Sequence, residues 1–337
     1  MKEAVNYTKL EENKVECYLC SHRCVIKPGK RGICLVRENS DGTLYSLVYD
    51  KVCSIATDPI EKKPLYHFLP RTPSLSIATV GCNFRCLHCQ NFSISQLPRE
   101  YDGALEGMPV TPQQIVDEAV KSGSASISYT YTEPTIYFEL AMECGKLSRE
   151  RGLKNVFVTN GYMTPETIDL CTSFLDAANV DLKGFDEKKY KKICGAKLKH
   201  VLEAIRLLYE RKIWIEITTL LIPDHNDSPE ELTKIAQFIA SVSPSIPWHV
   251  SAFYPTFKMQ DRPPTNPRTV EQACQIGVDA GLRYVYSGNV HSPGFSATQC
   301  WKCHTSLIKR SGFSLQKNRI PDGVCPECSA QIDGVFQ

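Results

Sequence analysis

Eleven of the sixteen cysteines in this 337-residue chain fall into three tight groups. They are Cys17, Cys20, Cys24 and Cys34; then Cys82, Cys86 and Cys89; then Cys300, Cys303, Cys325 and Cys328. Thiolates separated by two or three residues converge on metals and iron–sulfur clusters. The middle group, GCNFRCLHCQN, has the spacing C-x3-C-x2-C. Three thiolates can hold three irons of a four-iron cluster and leave the fourth without a protein ligand. An open coordination position is what a reactive metal centre requires. A reduced cluster of low potential can pass one electron to whatever binds there.

The outer groups are complete coordination spheres. CYLCSHRCVIKPGKRGIC supplies four thiolates, so its site is expected to be closed and structural. Zinc is the simplest occupant, and a second iron–sulfur cluster is the alternative. Lys27, Lys30 and Arg31 lie in that loop and can stabilise thiolates. The last group reads C-x2-C-x21-C-x2-C, the pattern of a zinc ribbon, with Cys325-Pro326-Glu327-Cys328 as one knuckle and His304 beside it. Cys144, Cys171 and Cys274 sit in helical patterns and read as small core residues. Cys53 and Cys194 belong to no group. MKEAVNYTKLEENK is polar and has no apolar core with a cleavage site, and no run of eighteen apolar residues occurs. A cytoplasmic protein without membrane contact is expected, and in a reducing compartment a disulfide framework is the weaker reading.

The elements that must position these groups alternate. Apolar, β-branched runs occur at 74–80, 124–132, 155–160, 177–184, 213–223, 248–255 and 282–288. Helical patterns lie between them, at 111–123, 135–150, 165–174, 187–210, 229–240 and 269–280. This rhythm argues for an α/β protein built on a parallel sheet, a partial (βα)6-type barrel with an extra strand. A Cys-rich, irregular segment (1–70) precedes the barrel (71–292), and a zinc-ribbon-like module (293–337) follows it. LYSLVYDKVCSIATD reads as a short strand or two, 254–269 as an irregular proline-rich loop, and 291–299 as a linker. Composition is ordinary for a globular enzyme, with 42% hydrophobic and 23% charged residues. A net charge of +2 gives no basic field, so nucleic-acid binding is not expected.

In a parallel barrel the ends of the strands carry the chemistry. Cys82 follows the first of these runs directly. SYTYTEP ends the second, and Thr159 and Asn160 end the third. Asp181 and Lys183 alternate with apolar neighbours and so share a face, as do Glu216 with Thr218 and His249 with Ser251. Charges inside a buried strand cost free energy unless paired or used.

The C-x3-C-x2-C motif after a first strand, with the aromatic His88 before its last cysteine, resembles the radical S-adenosylmethionine (radical SAM) superfamily. DPIEKKPLYHF, SYTYTEP, VTNGY, DLKGF and the C-terminal cysteine pairs make the chain similar to one branch related to pyruvate formate-lyase activating enzymes, the radical SAM component of the AmmeMemoRadiSam system. The resemblance implies a [4Fe-4S] cluster on Cys82, Cys86 and Cys89, with S-adenosyl-L-methionine on the open iron. It implies reductive cleavage to a 5′-deoxyadenosyl radical that abstracts hydrogen from a substrate.

In the related enzymes a Gly-Gly-Glu stands where this chain has Tyr131, Thr132 and Glu133. The resemblance carries cofactor binding to Thr132, Glu133, Thr159, Asn160 and His249. It gives Asp181 and Lys183 places near cofactor and substrate, where they are the candidate catalytic residues. YVYSGNV (284–290) would close around the adenine. A ferredoxin or flavodoxin must supply the electron, and Memo-like and Ammecr-like proteins are the implied partners. The competing readings are a glycyl-radical activating enzyme with a protein substrate and, from another class, a metal-binding interaction or nucleic-acid-binding module.

Overall fold

The seven apolar runs become seven parallel strands of one eight-stranded mixed sheet. The structure is a computed structural model. It describes residues 1–290 and 293–337; His291 and Ser292, which fall in the expected linker and at the expected 292 boundary, lie outside the described residues. The strands are β1 (Ser54–Pro59), β2 (Pro73–Ala78), β3 (Ser126–Tyr129), β4 (Lys154–Thr159), β5 (Ala177–Asp181), β6 (Trp214–Leu221), β7 (Trp248–Ala252) and β8 (Val285–Gly288). They lie in sequence order, each hydrogen-bonded to the next. β1 pairs antiparallel with β2, and every later pair is parallel. Among the described residues β1 and β8 do not pair, so the sheet is open.

Helices α1 (Pro112–Lys121), α2 (Phe138–Glu150), α3 (Pro165–Cys171), α4 (Glu187–Cys194), α5 (Leu198–Glu210), α6 (Pro229–Val242) and α7 (Pro267–Asp279) connect the strands. Four of them start the same way. Thr111, Thr164, Ser228 and Asn266 cap the first turn with a side-chain oxygen, and proline follows at the first helical position. The expected single helix over 187–210 is two, because Gly195 adopts φ +77°, a left-handed cap that ends α4.

The two sheet faces differ. Leu75, Ile77, Ile127, Phe157, Val180, Ile217 and Val250 are buried on the apolar face. The other face is polar: Asp58, Ser74, Ser76, Ser126, Ser128, Asn179, Glu216 and His249 are all buried there. This face carries hydrogen-bonded networks beside a small apolar cluster in which Ile60, Leu65 and Phe68 pack on Val156 and Ala177.

The N-terminal segment is more ordered than expected. Residues 2–3, 43–46 and 37–40 make one small antiparallel sheet, and 7–9, 15–17 and 24–26 another. The expected boundary at residue 70 falls between β1 and β2, because Ser54–Pro59 pairs with Pro73–Ala78 over six residues. The C-terminal module is a three-stranded antiparallel sheet (298–299, 306–311, 314–318). Its Leu307, Ile308, Ile320 and Ile332 pack with Tyr284 and with Tyr286 of β8. Among the described residues no helix is long and apolar enough to cross a membrane.

Candidate active site

The loop that carries Cys82, Cys86 and Cys89 leaves the carboxyl end of β2. Gly81 opens it at φ +100°, and a Cβ there would meet Val36 Cγ1 at 2.7 Å, so glycine is required. The loop is clamped to the carboxyl end of α4. Arg85 N donates to Cys194 O (3.0 Å) and Leu87 N to Ile193 O (3.1 Å). Phe84 packs edge-on against Tyr162 (5.2 Å) and Tyr190 (6.3 Å).

Polar groups reach two of the three sulfurs. Phe84 N donates to Cys82 Sγ at 3.3 Å, and Asn160 Nδ2 lies 3.9 Å from the same atom. Cys89 Sγ lies 3.1 Å from Ser95 Oγ. The Cys194 thiol and then burial push the Cys86 thiol well above its usual pKa. A nearby positive charge is what holds such a group as a thiolate. Lys183 supplies one and cationic iron would supply more, so the donor set fits a metal cluster. Lys183 Nζ is bonded to Asp181 Oδ2 at 2.9 Å. Burial alone would lower the Lys183 pKa, but Asp181 and then Cys86 hold it well above the usual lysine value. The structure thus brings Asp181 and Lys183 to the cysteine loop.

Glu133, 2% exposed, ties two strand ends together. Its Oε1 accepts from Thr159 Oγ1 (2.7 Å), Thr135 N (3.1 Å) and the Thr135 hydroxyl, and its Oε2 accepts from Asn160 N (2.8 Å). Asn160 Nδ2 in turn donates to Asn83 Oδ1 at 2.8 Å, one residue from Cys82. Thr132 Oγ1 donates to Thr79 O at 2.8 Å. Both Glu133 oxygens are thus engaged inside the protein. Burial still raises the Glu133 pKa against these donors.

Tyr131 adopts φ +63°, the left-handed region that glycine enters most readily. The strained backbone is held from the side chain. Tyr131 OH donates to Asp58, Lys63 Nζ lies 4.7 Å from the ring centroid, and Asn91 Nδ2 donates to Tyr131 O at 2.8 Å. Against the cost of burial, Lys62, Lys63 and Tyr131 hold the Asp58 carboxyl well below the usual range.

His249 belongs to a different network. Its Nε2 lies 2.6 Å from Glu216 Oε2, and its ring packs on Tyr66 and Tyr286. Glu216 also accepts from the backbone N–H groups of Tyr66 (3.0 Å) and His67 (2.8 Å). The carboxylate is consumed in pinning the 64–69 segment across the polar sheet face, and His249 is buried with it.

Two residues of the site, Cys194 and Asn83, carry no signal that spacing alone reveals. Cys194, ungrouped in the sequence, contacts Cys86. Asn83 bridges Cys82 to Asn160 and keeps a buried Nδ2 without a partner. His88 is buried with neither ring nitrogen bonded, and burial pushes its pKa well below the usual value. Thr218 Oγ1, beside Asp181 in the β5–β6 ladder, is also unpaired. Orphaned buried polar atoms around three thiols fit a polar ligand, since such groups are ordinarily satisfied.

The outer cysteine groups differ in size. Cys300, Cys303, Cys325 and Cys328 have all four sulfurs within 4.8 Å of one another, the one such cluster of metal-ligating atoms among the described residues. Cys300–Cys328 and Cys303–Cys325 sulfurs stand 3.6 and 3.7 Å apart. Tetrahedral zinc, with its Zn–S bonds of about 2.3 Å, places sulfurs about 3.8 Å apart. Cys17, Cys20, Cys24 and Cys34 line one pocket but are more widely spread. Lys27 and Lys30, expected to stabilise these thiolates, point to solvent, and Arg31 is paired with Glu38 at 2.9 Å. The nearby buried cation is Arg37 instead.

Comparisons with known proteins agree with this geometry. The family model for the radical SAM superfamily matches residues 76–239, from β2 through most of α6. Protein MJ0808 of Methanocaldococcus jannaschii is 43% identical over the whole length of both chains. The pyruvate formate-lyase-activating enzyme of Staphylococcus epidermidis is 25% identical over 49% of this chain and 68% of its own. In fold, the chain is similar to a radical SAM methyltransferase from Sphaerobacter thermophilus, with a TM-score of 0.51, 15% identity and coverage of 66% of this chain and 68% of that one. With three thiols on one loop at the carboxyl edge of a parallel sheet, and with these similarities, the chain is an enzyme of the radical SAM superfamily.

Proposed function

We propose that Cys82, Cys86 and Cys89 hold a [4Fe-4S] cluster and that S-adenosylmethionine occupies the space bounded by Asn160, Asp181, Lys183 and the orphaned His88 and Thr218. The single observation that carries this reading is the convergence of three thiols, a Lys–Asp pair and unpaired buried polar atoms at one sheet edge. A reduced cluster there would supply the one electron that cleaves S-adenosylmethionine to methionine and a 5′-deoxyadenosyl radical.

The protein's own residues bind and orient. Thr132 and Tyr131 present backbone groups at the end of β3 for the methionine moiety. Glu133 and Thr159 fix Asn160, which reaches the cofactor. Lys183 and Asp181 face cofactor and substrate, and His249 acts from farther off, by holding Glu216 and the 64–69 segment. The parallel strands form a partial barrel with the site at its mouth, and the C-terminal group is a zinc ribbon. A ferredoxin or flavodoxin is the electron donor, in the cytoplasm, and Memo-like and Ammecr-like proteins are partners of the system to which the chain belongs.

The test is anaerobic reconstitution with iron and sulfide, reduction, and assay for 5′-deoxyadenosine and methionine. Both products appear under this reading; an assembled cluster that neither binds nor cleaves S-adenosylmethionine sinks it. Similarity to the S. epidermidis activating enzyme favours a second reading in which the substrate is a protein glycine. A glycyl radical in a candidate protein, seen by electron paramagnetic resonance, separates the two.

A further inference from the structure

We infer that Cys17, Cys20, Cys24 and Cys34 hold a second iron–sulfur cluster, closed by four protein thiolates, which relays the electron to the cluster on Cys82, Cys86 and Cys89. The relay half rests on the proposed function; the cluster half does not.

Size argues first. This molecule shows what a zinc-sized thiol site looks like, with all four C-terminal sulfurs within 4.8 Å of one another. No three of the N-terminal sulfurs meet that limit among the described residues. They line one small pocket, together with the apolar side chains of Leu19, Ile26, Ile33 and Ile136. A four-iron cluster puts each thiolate on a different iron, so it needs sulfurs spread around a wider, apolar chamber.

A second, independent observation points to an anionic occupant. Arg37 lines the same pocket and is 2% exposed. Its terminal nitrogens are used on Glu139, at 2.5 and 3.1 Å, but its Nε is buried with no partner. The backbone N–H groups of His22, Ile33 and Val36 lie near the Cys20, Cys24 and Cys34 thiols. Hydrogen bonds from such groups to cluster sulfurs set the potential of an iron–sulfur centre.

Placement gives the role. Four protein ligands leave no open iron, so this centre transfers electrons and does not bind substrate. It sits against the catalytic loop on two sides. Cys34 O lies 3.3 Å from where a Gly81 Cβ would be, next to Cys82. His22, between Cys20 and Cys24, has Nε2 at 2.9 Å from Asn83 O. Arg85 and Arg99 line an adjoining cleft with His22 and with Arg31, which is paired with Glu38, and their charge complements an acidic one-electron carrier of the ferredoxin or flavodoxin class. That carrier gives one electron to the N-terminal cluster. The cluster passes it on and returns to its oxidised form, and the electron is spent on the sulfur–carbon bond of S-adenosylmethionine.

The test begins with metal counting on the full chain, anaerobically reconstituted. A Cys82→Ala/Cys86→Ala/Cys89→Ala variant should keep about four irons, about four sulfides and about one zinc, with a cluster signal by electron paramagnetic resonance. Zinc in the N-terminal site and no iron overturns the inference. The unmodified protein gives a check independent of how that variant folds: about eight irons support the second cluster, and about four exclude it. For the relay, Cys20→Ser/Cys24→Ser is assayed for 5′-deoxyadenosine with reduced flavodoxin and with titanium(III) citrate. A drop of at least about tenfold with flavodoxin, and little with the small reductant, is expected. Equal loss with both overturns the relay. If the unmodified enzyme cleaves nothing with either reductant, the proposed function fails while the iron count still stands.

Discussion

Glu133→Gln separates a carboxylate that positions the site from one that binds the ligand. Oε1 accepts from Thr159 Oγ1, from Thr135 N and from the Thr135 hydroxyl; Oε2 accepts from Asn160 N. An ionised carboxylate suits four donors, whereas an amide has one oxygen and two N–H groups. With the Gln oxygen at the Oε1 position, its amide nitrogen faces the Asn160 N–H. In the flipped rotamer it faces Thr135 N, which cannot turn away. Either way one buried donor loses its acceptor, at a cost of about 1–3 kcal/mol, and charge assistance is lost from the rest. The sum is about 2–3 kcal/mol, a fall in Tm of roughly 3–6 °C for a chain of this size. The first rotamer also displaces Asn160, whose Nδ2 holds Asn83 at 2.8 Å and lies 3.9 Å from Cys82 Sγ. Scanning fluorimetry of the anaerobic, metal-loaded protein and titration with S-adenosylmethionine read both effects. We expect lower Tm and weaker binding together, and Thr159→Val should reproduce part of each. An unchanged Tm with a large loss of affinity would refute the reasoning, because it would make Glu133 a direct ligand.

Cys86→Ala should abolish S-adenosylmethionine cleavage, by at least about a thousandfold, while the zinc content stays the same; retained activity with an intact cluster would contradict the site. Stability should fall on acidification through His67, whose pKa burial depresses to about 4. The unfolded chain takes up a proton near pH 6.5 and the folded one does not until about 4, so up to about 3 kcal/mol present above pH 6.5 is lost progressively toward pH 4. His67→Gln should flatten the Tm profile between pH 7 and 5, since it keeps a donor for Asp333 O and an acceptor for Tyr286 OH. Cys303→Ala should release about one zinc and open residues 298–337 to protease, because that module has only a small core of its own against Tyr284 and Tyr286. Glu139→Ala leaves Arg37 charged, buried and unpaired, at a cost of about 3–5 kcal/mol, read as a fall in Tm.

What the sequence determined by itself was local. Ligand spacing, helix caps and strand periodicity all act within a few residues, so the three cysteine groups, six of the helical regions and all seven parallel strands were legible in it. The break at Gly195 was missed because one glycine in a helical pattern costs little until its φ is known. Strand β1 was not assigned to the main sheet, since its partner is set by a return of the chain and not by its own composition.

Tertiary structure alone decided the rest, because those contacts join residues far apart in the chain. Arg37 meets Glu139 across 102 positions and Glu216 meets His67 across 149. Glu133, Asn160 and Asn83 converge on Cys82 only once β2, β3 and β4 lie side by side. The same is true of metal size. Both outer groups offer four thiolates at short intervals, and spacing cannot tell them apart. Only the fold draws the C-terminal sulfurs together around a zinc-sized point and leaves the N-terminal ones farther apart, because the backbone between and behind the ligands, not their count, sets how closely sulfurs approach.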